Sequence, residues 1–119
     1  MSNTLQLKVT PKQIDSSNNE TDLDEYTITA TYDGHTDYHT TAATDANKVI
    51  TLPVLSNHYT IELISDQKVE FVILTSGTAT ITMTDVKNVI INWGTGVNYT
   101  YTVKNISGST AEIEWKVYA

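Results

Sequence analysis

The stretch that decides the fold is VNYTYTVKNISGSTAEIEWKVY, from Val97 to Tyr118. On either side of the central NISGST segment, apolar or aromatic residues alternate with polar ones. Such residues point to opposite faces of a β-strand, because successive side chains leave the backbone on opposite sides. Two alternating runs around a Gly/Ser turn predict an antiparallel hairpin of residues 97–104 and 111–118. The face predicted to point inward contains Val97, Tyr99, Tyr101, Val103, Ala111, Ile113, Trp115 and Val117.

The same alternation recurs along the chain and predicts an all-β protein. Thr, Val and Ile supply 42 of the 119 residues, and these β-branched types fit a pleated strand well. The run VEFVIL (69–74) is apolar on nearly both faces, so we expect a central strand there. The other predicted strands are Leu5–Val9, Tyr26–Tyr32, Val49–Leu52, His58–Ile64, the TATITMT run (78–84) after Ser76-Gly77, and Val89–Trp93 before a GTG turn. Eight or nine short strands predict a single domain over residues 1–119, an antiparallel two-sheet β-sandwich of jelly-roll type.

The segment from Thr10 to Asp24 has almost no apolar residues and is predicted to be a polar loop or arm. Such a stretch cannot bury enough surface to offset the entropy lost on ordering it. Its DSSNNE run alternates oxygen ligands in the manner of an EF-hand loop. Glu20, however, stands where that loop needs a glycine, and Tyr26 stands where it needs a bidentate glutamate. The EF-hand interpretation fails, and only a looser calcium site remains open.

Four side chains able to bind a metal stand at every second position of YDGHTDYHT (32–40): Asp33, His35, Asp37 and His39. A two-residue turn would put three of these polar groups on the side of the preceding strand's apolar face, where burial without partners costs several kcal/mol. A five-residue DGHTD loop instead pairs Tyr32 with Tyr38 and leaves the polar groups solvated. We therefore predict a loop here and no metal site.

The chain is acidic, with a net charge of −7, and its seven positive residues are all lysines. Nucleic acid is a poor partner for it, because each phosphate contact needs a cation to displace counterions. Eight acidic residues and no lysine lie between Gln13 and Asn47. This run indicates either a solubilising face or a docking surface for a basic partner. The chain has no cysteine, no signal-peptide pattern and no apolar run of membrane-spanning length, so we expect neither secretion nor membrane insertion.

No motif in the sequence assembles catalytic groups. The chain has three histidines and many hydroxyl groups, but neither a Gly-x-Ser-x-Gly elbow nor a His-Glu-x-x-His pair. We therefore predict a protein that is not an enzyme, with no catalytic residues, no cofactor-binding residues and no metal ligands.

Five residues form the candidate interaction surface. Trp93 and Tyr118 are the aromatic residues least explained by the core pattern, and aromatic side chains outside a core mark protein interfaces or sugar platforms. For Trp93 the favoured alternative is partial burial beneath a neighbouring loop. Asp22, Asp24 and Glu25, from the acidic segment, complete the set.

The C-terminal part of the chain, FVILTSGTATITM (71–83) followed by VNYTYTVKNISGSTAEIEWKVYA (97–119), resembles small all-β virion proteins of tailed bacteriophages. These include capsid decoration proteins and small accessory proteins of tails or fibres. The resemblance rests on a β-rich chain without cysteine or signal, on the N-x-SGST-A turn and on the last strand, and it covers about half of the sequence. It carries over no functional residue. It implies a non-enzymatic part that binds a capsid shell or a tail, often as a symmetric oligomer.

We accordingly expect a structural virion protein, assembled in the host cytoplasm, that docks on capsid or tail proteins. An uncovered edge strand, such as the first or the last, would supply the interface of a homo-oligomer. The alternative is a carbohydrate-binding or receptor-binding module. Such a module would use loop aromatics and acidic side chains on a rigid sandwich, and its partner would be a sugar receptor.

Overall fold

The computed structural model describes residues 2–45 and 47–119. Strands take up 72% of these residues and none of them lies in a helix, so the all-β prediction is confirmed. In this part of the chain there is accordingly no helix that could cross a membrane. The ten strands are β1 (Asn3–Val9), β2 (Lys12–Ile14), β3 (Glu20–Asp22), β4 (Tyr26–Tyr32), β5 (His35–Ala42), β6 (Val49–Leu52), β7 (His58–Thr75), β8 (Thr78–Val97), β9 (Thr100–Asn105) and β10 (Ala111–Tyr118).

Six of the strands form one curled sheet around the core. Its hydrogen-bonded order is β5-β10-β7-β9-β6, and β8 also pairs with β7. Two further pairs, β1 with β4 and β2 with β3, form separate two-stranded sheets. The pairings are antiparallel, as predicted. Residues 69–74 of β7 have strands on both edges, so the expected central position of this run is confirmed.

The predicted hairpin of residues 97–104 with 111–118 is wrong. Both strands pair with β7 instead. β9 pairs with residues 69–74 of β7, and β10 pairs with residues 60–65. No described residue of β9 pairs with β10. Because β8 follows the opposite edge of β7 through both regions, β9 and β10 lie one after the other on the same edge. Alternation indicates which face of a strand is buried, but it does not indicate which other strand forms hydrogen bonds with its edges. The last strand also has both edges paired, so it supplies no open edge.

A bend in β7 turns the two halves of the sheet toward each other. The bend lies where the register with β8 shifts, between Ile64 and Val69. Ser65 Oγ donates a hydrogen bond to the Gln67 carbonyl at 2.7 Å. Asp66 Oδ1 accepts the backbone N–H of Glu112, at the start of β10, at 2.8 Å. These bonds fix the bend and attach β10 to it.

The inner faces of the two halves meet in an aromatic core. Trp115 on β10 has its ring centroid 5.8 Å from that of Phe71 on β7 and 5.1 Å from that of Tyr101 on β9. All three side chains are fully buried, and Trp115 Nε1 donates to the Pro53 carbonyl at 2.7 Å. The inward face predicted for the last two strands is confirmed, with Tyr101, Val103, Ala111, Ile113, Trp115 and Val117 buried and Val97 and Tyr99 half-buried.

Two long strands replace four of the short strands that were predicted. β7 covers both 58–64 and 69–74, and β8 covers both 78–84 and 89–93. A β-bulge allows this, because an extra residue bends a strand without ending its pairing. In β8 the register shifts next to Asp85, whose φ is 61°. Ser76 and Gly77 form the predicted turn between these strands, with φ values of 51° and 79° that suit a type I′ hairpin.

The predicted turn at GTG (94–96) is also wrong. β8 continues to Val97, which pairs with His58. A Cβ atom on Gly96 would collide with the side chain of Asn57, whose backbone N–H donates to Asn98 Oδ1 at 2.6 Å. The glycine therefore permits a close approach between neighbouring segments, and its presence does not mark a chain reversal.

The polar segment at residues 10–24 contains regular structure that the sequence did not predict. β2 and β3 pair with each other, Lys12 opposite Asp22, and Asp15 Oδ1 accepts the N–H groups of Ser17 and Asn19 at 2.9 Å. Every residue of the two strands is exposed. Local side-chain bonds to the backbone hold this hairpin without a buried face, so a pattern based on burial could not reveal it. We call residues 10–25 the acidic hairpin.

Asn105, at the end of β9, holds the connection to β10. Its buried Nδ2 lies 3.1 Å from the carbonyl oxygens of Ala42 and Ala43 and 2.6 Å from that of Ser109. Its Oδ1 accepts hydrogen bonds from the N–H and the hydroxyl of Ser107. The NISGST segment is thus a corner between two successive strands on one edge of β7, built around a single amide.

We predict that Asn105→Ala lowers the free energy of unfolding by roughly 2–3 kcal/mol, because it leaves the buried Ala42 carbonyl without this donor and removes the other hydrogen bonds of a buried amide. Urea unfolding followed by tryptophan fluorescence measures this change. The control is Asn88→Ala at an exposed position of β8, which should change the value by no more than about 0.5 kcal/mol. Equal effects of the two substitutions would contradict the role given to Asn105.

Candidate functional site

A groove of about 420 Å³ lies between β4 and the adjoining parts of β7 and β8. We call it the aromatic groove, since Tyr32, Tyr59 and Trp93 line it. The other lining residues are Thr29, Ala30, Thr31, Asp33, Asn92 and Ala119. A concave site with aromatic rings and a few polar groups has the composition of small-molecule and sugar sites, in which rings supply contact area and polar groups fix orientation.

Trp93 connects the aromatic groove to the core. Its ring stands edge-on against Tyr99, with centroids 5.1 Å apart, and its Nε1 donates to the hydroxyl of Tyr101 at 3.3 Å. Tyr99 lies in the connection between β8 and β9, so the partial burial favoured for Trp93 is confirmed. A ring held on two sides in this way loses little entropy when a ligand packs on it.

Polar groups join the two walls of the aromatic groove. Thr60 Oγ1, from β7, donates to Asn92 Oδ1 at 3.1 Å, and Asn92 Nδ2 donates to the Thr29 carbonyl of β4 at 3.5 Å. At one end of the groove the backbone N–H of Asp33 donates to the Ala119 carbonyl. Asn92 and Asp33 are exposed, so their side chains can exchange hydrogen bonds with a bound molecule.

A chain of hydrogen bonds runs from Trp93, in the wall of the aromatic groove, to the buried side chains of Tyr101 and His58. His58 Nδ1 lies 2.9 Å from the Leu55 carbonyl, and its Nε2 lies 2.6 Å from the Tyr101 hydroxyl. A carbonyl only accepts, so Nδ1 carries the hydrogen, neutral Nε2 accepts from Tyr101, and Tyr101 in turn accepts from Trp93. Burial lowers the pKa of His58 below its ordinary 6.5, and burial raises the pKa of Tyr101 to about 12. Both groups are therefore neutral near pH 7.

Tyr118 lies on the outward face of the last strand, as predicted, next to the residues that begin β5. Its ring centroid is 5.1 Å from that of Tyr32 and 6.0 Å from that of His35, on which it stacks. Burial raises the pKa of Tyr118, and the carboxylates of Glu62 and Asp37 raise it further. Since Tyr32 also lines the aromatic groove, the structure brings Trp93 and Tyr118 to the same region.

The predicted loop in YDGHTDYHT (32–40) is wrong. β5 begins at His35 and pairs with β10, so Tyr32 and Tyr38 do not face each other. His35, Asp37 and His39 alternate on the exposed face of β5, which is the arrangement that the five-residue loop was expected to prevent. The predicted loop requires β4 and β5 to pair as a hairpin, whereas β4 pairs with β1 and β5 pairs with β10.

No metal centre is formed by these side chains. His35 Nε2 lies 3.7 Å from Asp37 Oδ2, and His39 Nε2 lies 3.1 Å from Glu112 Oε2. Within residues 2–45 and 47–119, no three His, Cys, Asp or Glu side chains converge closely enough to hold a metal ion. The histidines on β5 therefore form two separate pairs with carboxylates.

The acidic candidates lie away from the aromatic ones. Asp22 and Glu25 line a separate depression at the base of the acidic hairpin. This hairpin precedes Tyr26 at one end of β4, while Tyr32 lies at the other end. Six residue steps of a strand span roughly 20 Å. The five predicted residues thus belong to two surfaces, and Asp24, between Asp22 and Glu25 in the chain, belongs to the acidic one.

Tyr59 and Asn92 also line the aromatic groove, although no pattern in the sequence singles them out. Alternation places Tyr59 on the same face as the buried Ile61, but the register with β8 shifts between His58 and Thr60. This shift puts His58 in the core and Tyr59 beside the groove. Local periodicity cannot reveal a bulge, because a bulge is defined by the pairing of two strands.

We predict that the free energy of unfolding decreases as the pH is lowered below about 6.5, because His58 is buried in its neutral form. Unfolded His58 takes up a proton below about pH 6.5, whereas folded His58 takes it up only at lower pH, so stability is full above 6.5. It should decrease by up to about 1.4 kcal/mol per pH unit below that value, until the folded pKa is reached. Unfolding free energies measured between pH 5 and pH 8 test this.

The exposed His39→Gln variant should keep this pH dependence, and His58→Gln should lose it. If His58→Gln does not fold, a nuclear magnetic resonance titration of the imidazole in the unmodified chain gives the pKa of His58 directly. A folded pKa of 6.5 or higher would contradict the assignment.

Comparisons with known proteins do not place the chain in a family. No protein-family model matches it, and no curated protein sequence matches it. Among solved structures, it is similar to a solution NMR structure of a de novo designed double-stranded beta-helix, with a TM-score of 0.33 and 12% sequence identity over 97% of each chain. A similarity of this size supports no inference about function.

Proposed function

We propose that this chain is a non-enzymatic structural protein of a bacteriophage virion that docks on capsid or tail proteins. The observation that supports this best is the acidic hairpin. Every residue of β2 and β3 is exposed, and the two strands pair with each other. Two apolar side chains of the hairpin are also exposed to solvent, Ile14 to 60% and Leu23 to 49% of their full accessible surface. Apolar side chains on an exposed hairpin add nothing to the core, and a docked partner would give them a role.

The charges of the acidic hairpin favour a basic partner. Glu20 and Glu25 are each bound by a lysine, at 3.3 and 3.0 Å. Among the ion pairs of residues 2–45 and 47–119, neither Asp22 nor Asp24 takes part. These two carboxylates are exposed and available for cations on the surface of another protein. Opposite charges on two surfaces mainly accelerate their association.

We further propose that the curled sheet is a jelly-roll-like two-sheet sandwich, the architecture that the number and spacing of the strands predict. The contacts of Trp115 with Phe71 and Tyr101 support this, because they join the inner faces of the two halves of the sheet. A long bent strand that belongs to both halves, as β7 does, suits such an architecture, since strands turn corners between sheets at bulges.

We predict that replacing Asp22→Asn, Asp24→Asn and Glu25→Gln together weakens binding to purified virions, mainly through a slower association rate. High salt should weaken the unmodified chain in the same way, since the Debye length is about 8–10 Å at ordinary ionic strength. Co-sedimentation of the labelled chain with virions at low and high salt measures both effects. The melting temperature should change little, because exposed charges contribute little to stability.

The control removes the same charge elsewhere, by Asp37→Asn, Asp85→Asn and Glu114→Gln at exposed positions. This variant should bind as the unmodified chain does. Equal losses for the two variants would indicate a net-charge effect and would rule out docking through the acidic hairpin. The virion assignment itself is tested separately, by mass spectrometry of purified particles, in which the chain must be present.

The alternative is a carbohydrate-binding or receptor-binding module, and the aromatic groove favours it. Tyr32, Tyr59 and Trp93 offer rings for the apolar faces of a sugar, while Asn92 and Asp33 offer an amide and a carboxylate for its hydroxyl groups. Such pairing of a ring with a hydrogen-bonding group is the usual chemistry of sugar recognition. A receptor glycan on the host surface would be the natural ligand for this module.

We predict, on this alternative, that a glycan array gives a reproducible signal that Tyr59→Ala and Trp93→Ala each abolish. Tyr26→Ala is the matched control, because Tyr26 is 54% exposed and does not line the aromatic groove. The variants should melt within a few degrees of the unmodified chain; if Trp93→Ala is unstable through loss of its bond to Tyr101, Tyr59→Ala alone decides. A signal that survives Tyr59→Ala would exclude the groove.

A further inference from the structure

The hydrogen bonds that join His58, Tyr101 and Trp93 have a defined direction at neutral pH. Tyr101 donates its only hydroxyl hydrogen to Nε2 of His58, and its oxygen accepts the indole N–H of Trp93. Among the described residues, this hydroxyl has no other hydrogen-bond partner. We call the three side chains the hydrogen-bond relay. Because Tyr101 stands between the other two, a change in the protonation of His58 alters the bonds of Tyr101 as well.

A proton on His58 reverses the first of these bonds. Nδ1 already carries a hydrogen and donates it to the Leu55 carbonyl, so an added proton goes to Nε2. Nε2 then becomes a donor that lies 2.6 Å from the oxygen of Tyr101, and the hydroxyl hydrogen of Tyr101 must turn away from His58. The other neighbour of this hydroxyl is Nε1 of Trp93, which is a donor at every pH. Two donors and the hydroxyl hydrogen then compete around one oxygen.

The bond of Trp93 is the one that breaks, because it is the weaker of the two. Its atoms lie 3.3 Å apart and belong to neutral groups, whereas the contact of His58 with Tyr101 is 2.6 Å long and becomes charge-assisted. Tyr101 does not resolve the competition by losing its proton, since burial raises its pKa to about 12. Trp93 is half-buried and lines the aromatic groove, so water in the groove can accept its N–H.

The groups around His58 come from three elements. Tyr101 faces it from β9, Val97 lies opposite it on β8, and the Leu55 carbonyl reaches it from the segment between β6 and β7. Tyr99, whose ring contacts Trp93, is the next titratable group along the relay. No ion pair in the part of the chain that the structure describes includes His58. Burial lowers the pKa of His58 and the Leu55 carbonyl opposes this, so the imidazole takes up its proton below pH 6.5.

We propose that the hydrogen-bond relay is a pH-sensitive switch in the wall of the aromatic groove, in which protonation of His58 releases Trp93 from Tyr101. At neutral pH the ring of Trp93 is held by its bond to Tyr101 and by its edge-on contact with Tyr99. In the protonated form only the contact with Tyr99 remains. The switch holds whether or not the groove binds a sugar, since its parts all belong to the fold. For the sugar-binding alternative, on which this consequence alone rests, binding weakens at acidic pH because a ligand must then order a mobile ring.

A nuclear magnetic resonance titration of the unmodified chain from pH 8 to pH 4 tests the proposal. The indole N–H signal of Trp93 should shift with the same midpoint as the imidazole of His58, and this proton should exchange with water faster once the shift is complete. The second tryptophan, Trp115, is an internal control, because its Nε1 donates to the Pro53 carbonyl outside the relay. Its signal should stay in place. A Trp93 signal that does not move while His58 titrates would overturn the proposal.

Two variants separate the relay from other effects of pH. Tyr101→Phe removes the hydroxyl between the two side chains, so Trp93 should no longer follow the titration of His58. His39→Gln is the control, since it removes an exposed histidine that pairs with Glu112, and Trp93 should respond as in the unmodified chain. A response that survives Tyr101→Phe, or one that His39→Gln abolishes, would contradict the proposal. Where Tyr101→Phe does not fold, the titration of the unmodified chain decides alone.

Thermodynamic linkage gives a second readout at the other end of the relay. Since protonation of His58 breaks the bond of Trp93, that bond in turn opposes protonation. Trp93→Phe removes the indole N–H and should therefore raise the pKa of His58. Tyr59→Ala, which removes a ring of the same groove outside the relay, should leave this pKa unchanged. An unchanged or lower pKa in Trp93→Phe would overturn the switch, as would equal rises in both variants or unfolding of the unmodified chain while His58 is still neutral.

Discussion

The bend of β7 between Ile64 and Val69 is the constraint on which the rest of the structure depends. β7 remains one strand through this bend, so the strands beside it must follow the change of direction. β8 does so on one edge with its own bulge, and on the other edge β9 ends and β10 begins. The bend thereby brings Trp115 against Phe71. Because truncating a buried aromatic side chain costs about 3–5 kcal/mol, these contacts stabilise the bent form of β7 strongly.

The buried polar residues stabilise this arrangement at its corners. They are His58, Thr60, Ser65 and Asn105, and no buried side-chain nitrogen or oxygen of residues 2–45 and 47–119 lacks a hydrogen-bond partner. Ser65 lies at the bend, Asn105 at the connection between β9 and β10, and His58 at the start of β7. Unpaired groups at these sites would cost more than the net gain of a typical hydrogen bond, so each corner permits few alternative conformations.

The burial of individual residues could be predicted from the sequence much better than their partners. Alternation correctly indicated the buried faces around Trp115 and Tyr101. The Ser76-Gly77 pair correctly indicated a turn, and the run of apolar residues 69–74 correctly indicated a central strand. Alternation failed for the hairpin of the last two strands and for the pairing of β4, because the period of a strand describes one strand alone. It also failed for the acidic hairpin, whose turn depends on the hydrogen bonds of Asp15.

The same limit explains which parts of the candidate site were found. Trp93 and Tyr118 could be identified because their positions disagree with the core pattern. Tyr59 agrees with that pattern and still lies beside the aromatic groove, since the groove exists only where β4 lies next to a bulged part of β7 and β8. Surfaces made by two elements leave little signal in either element's own sequence.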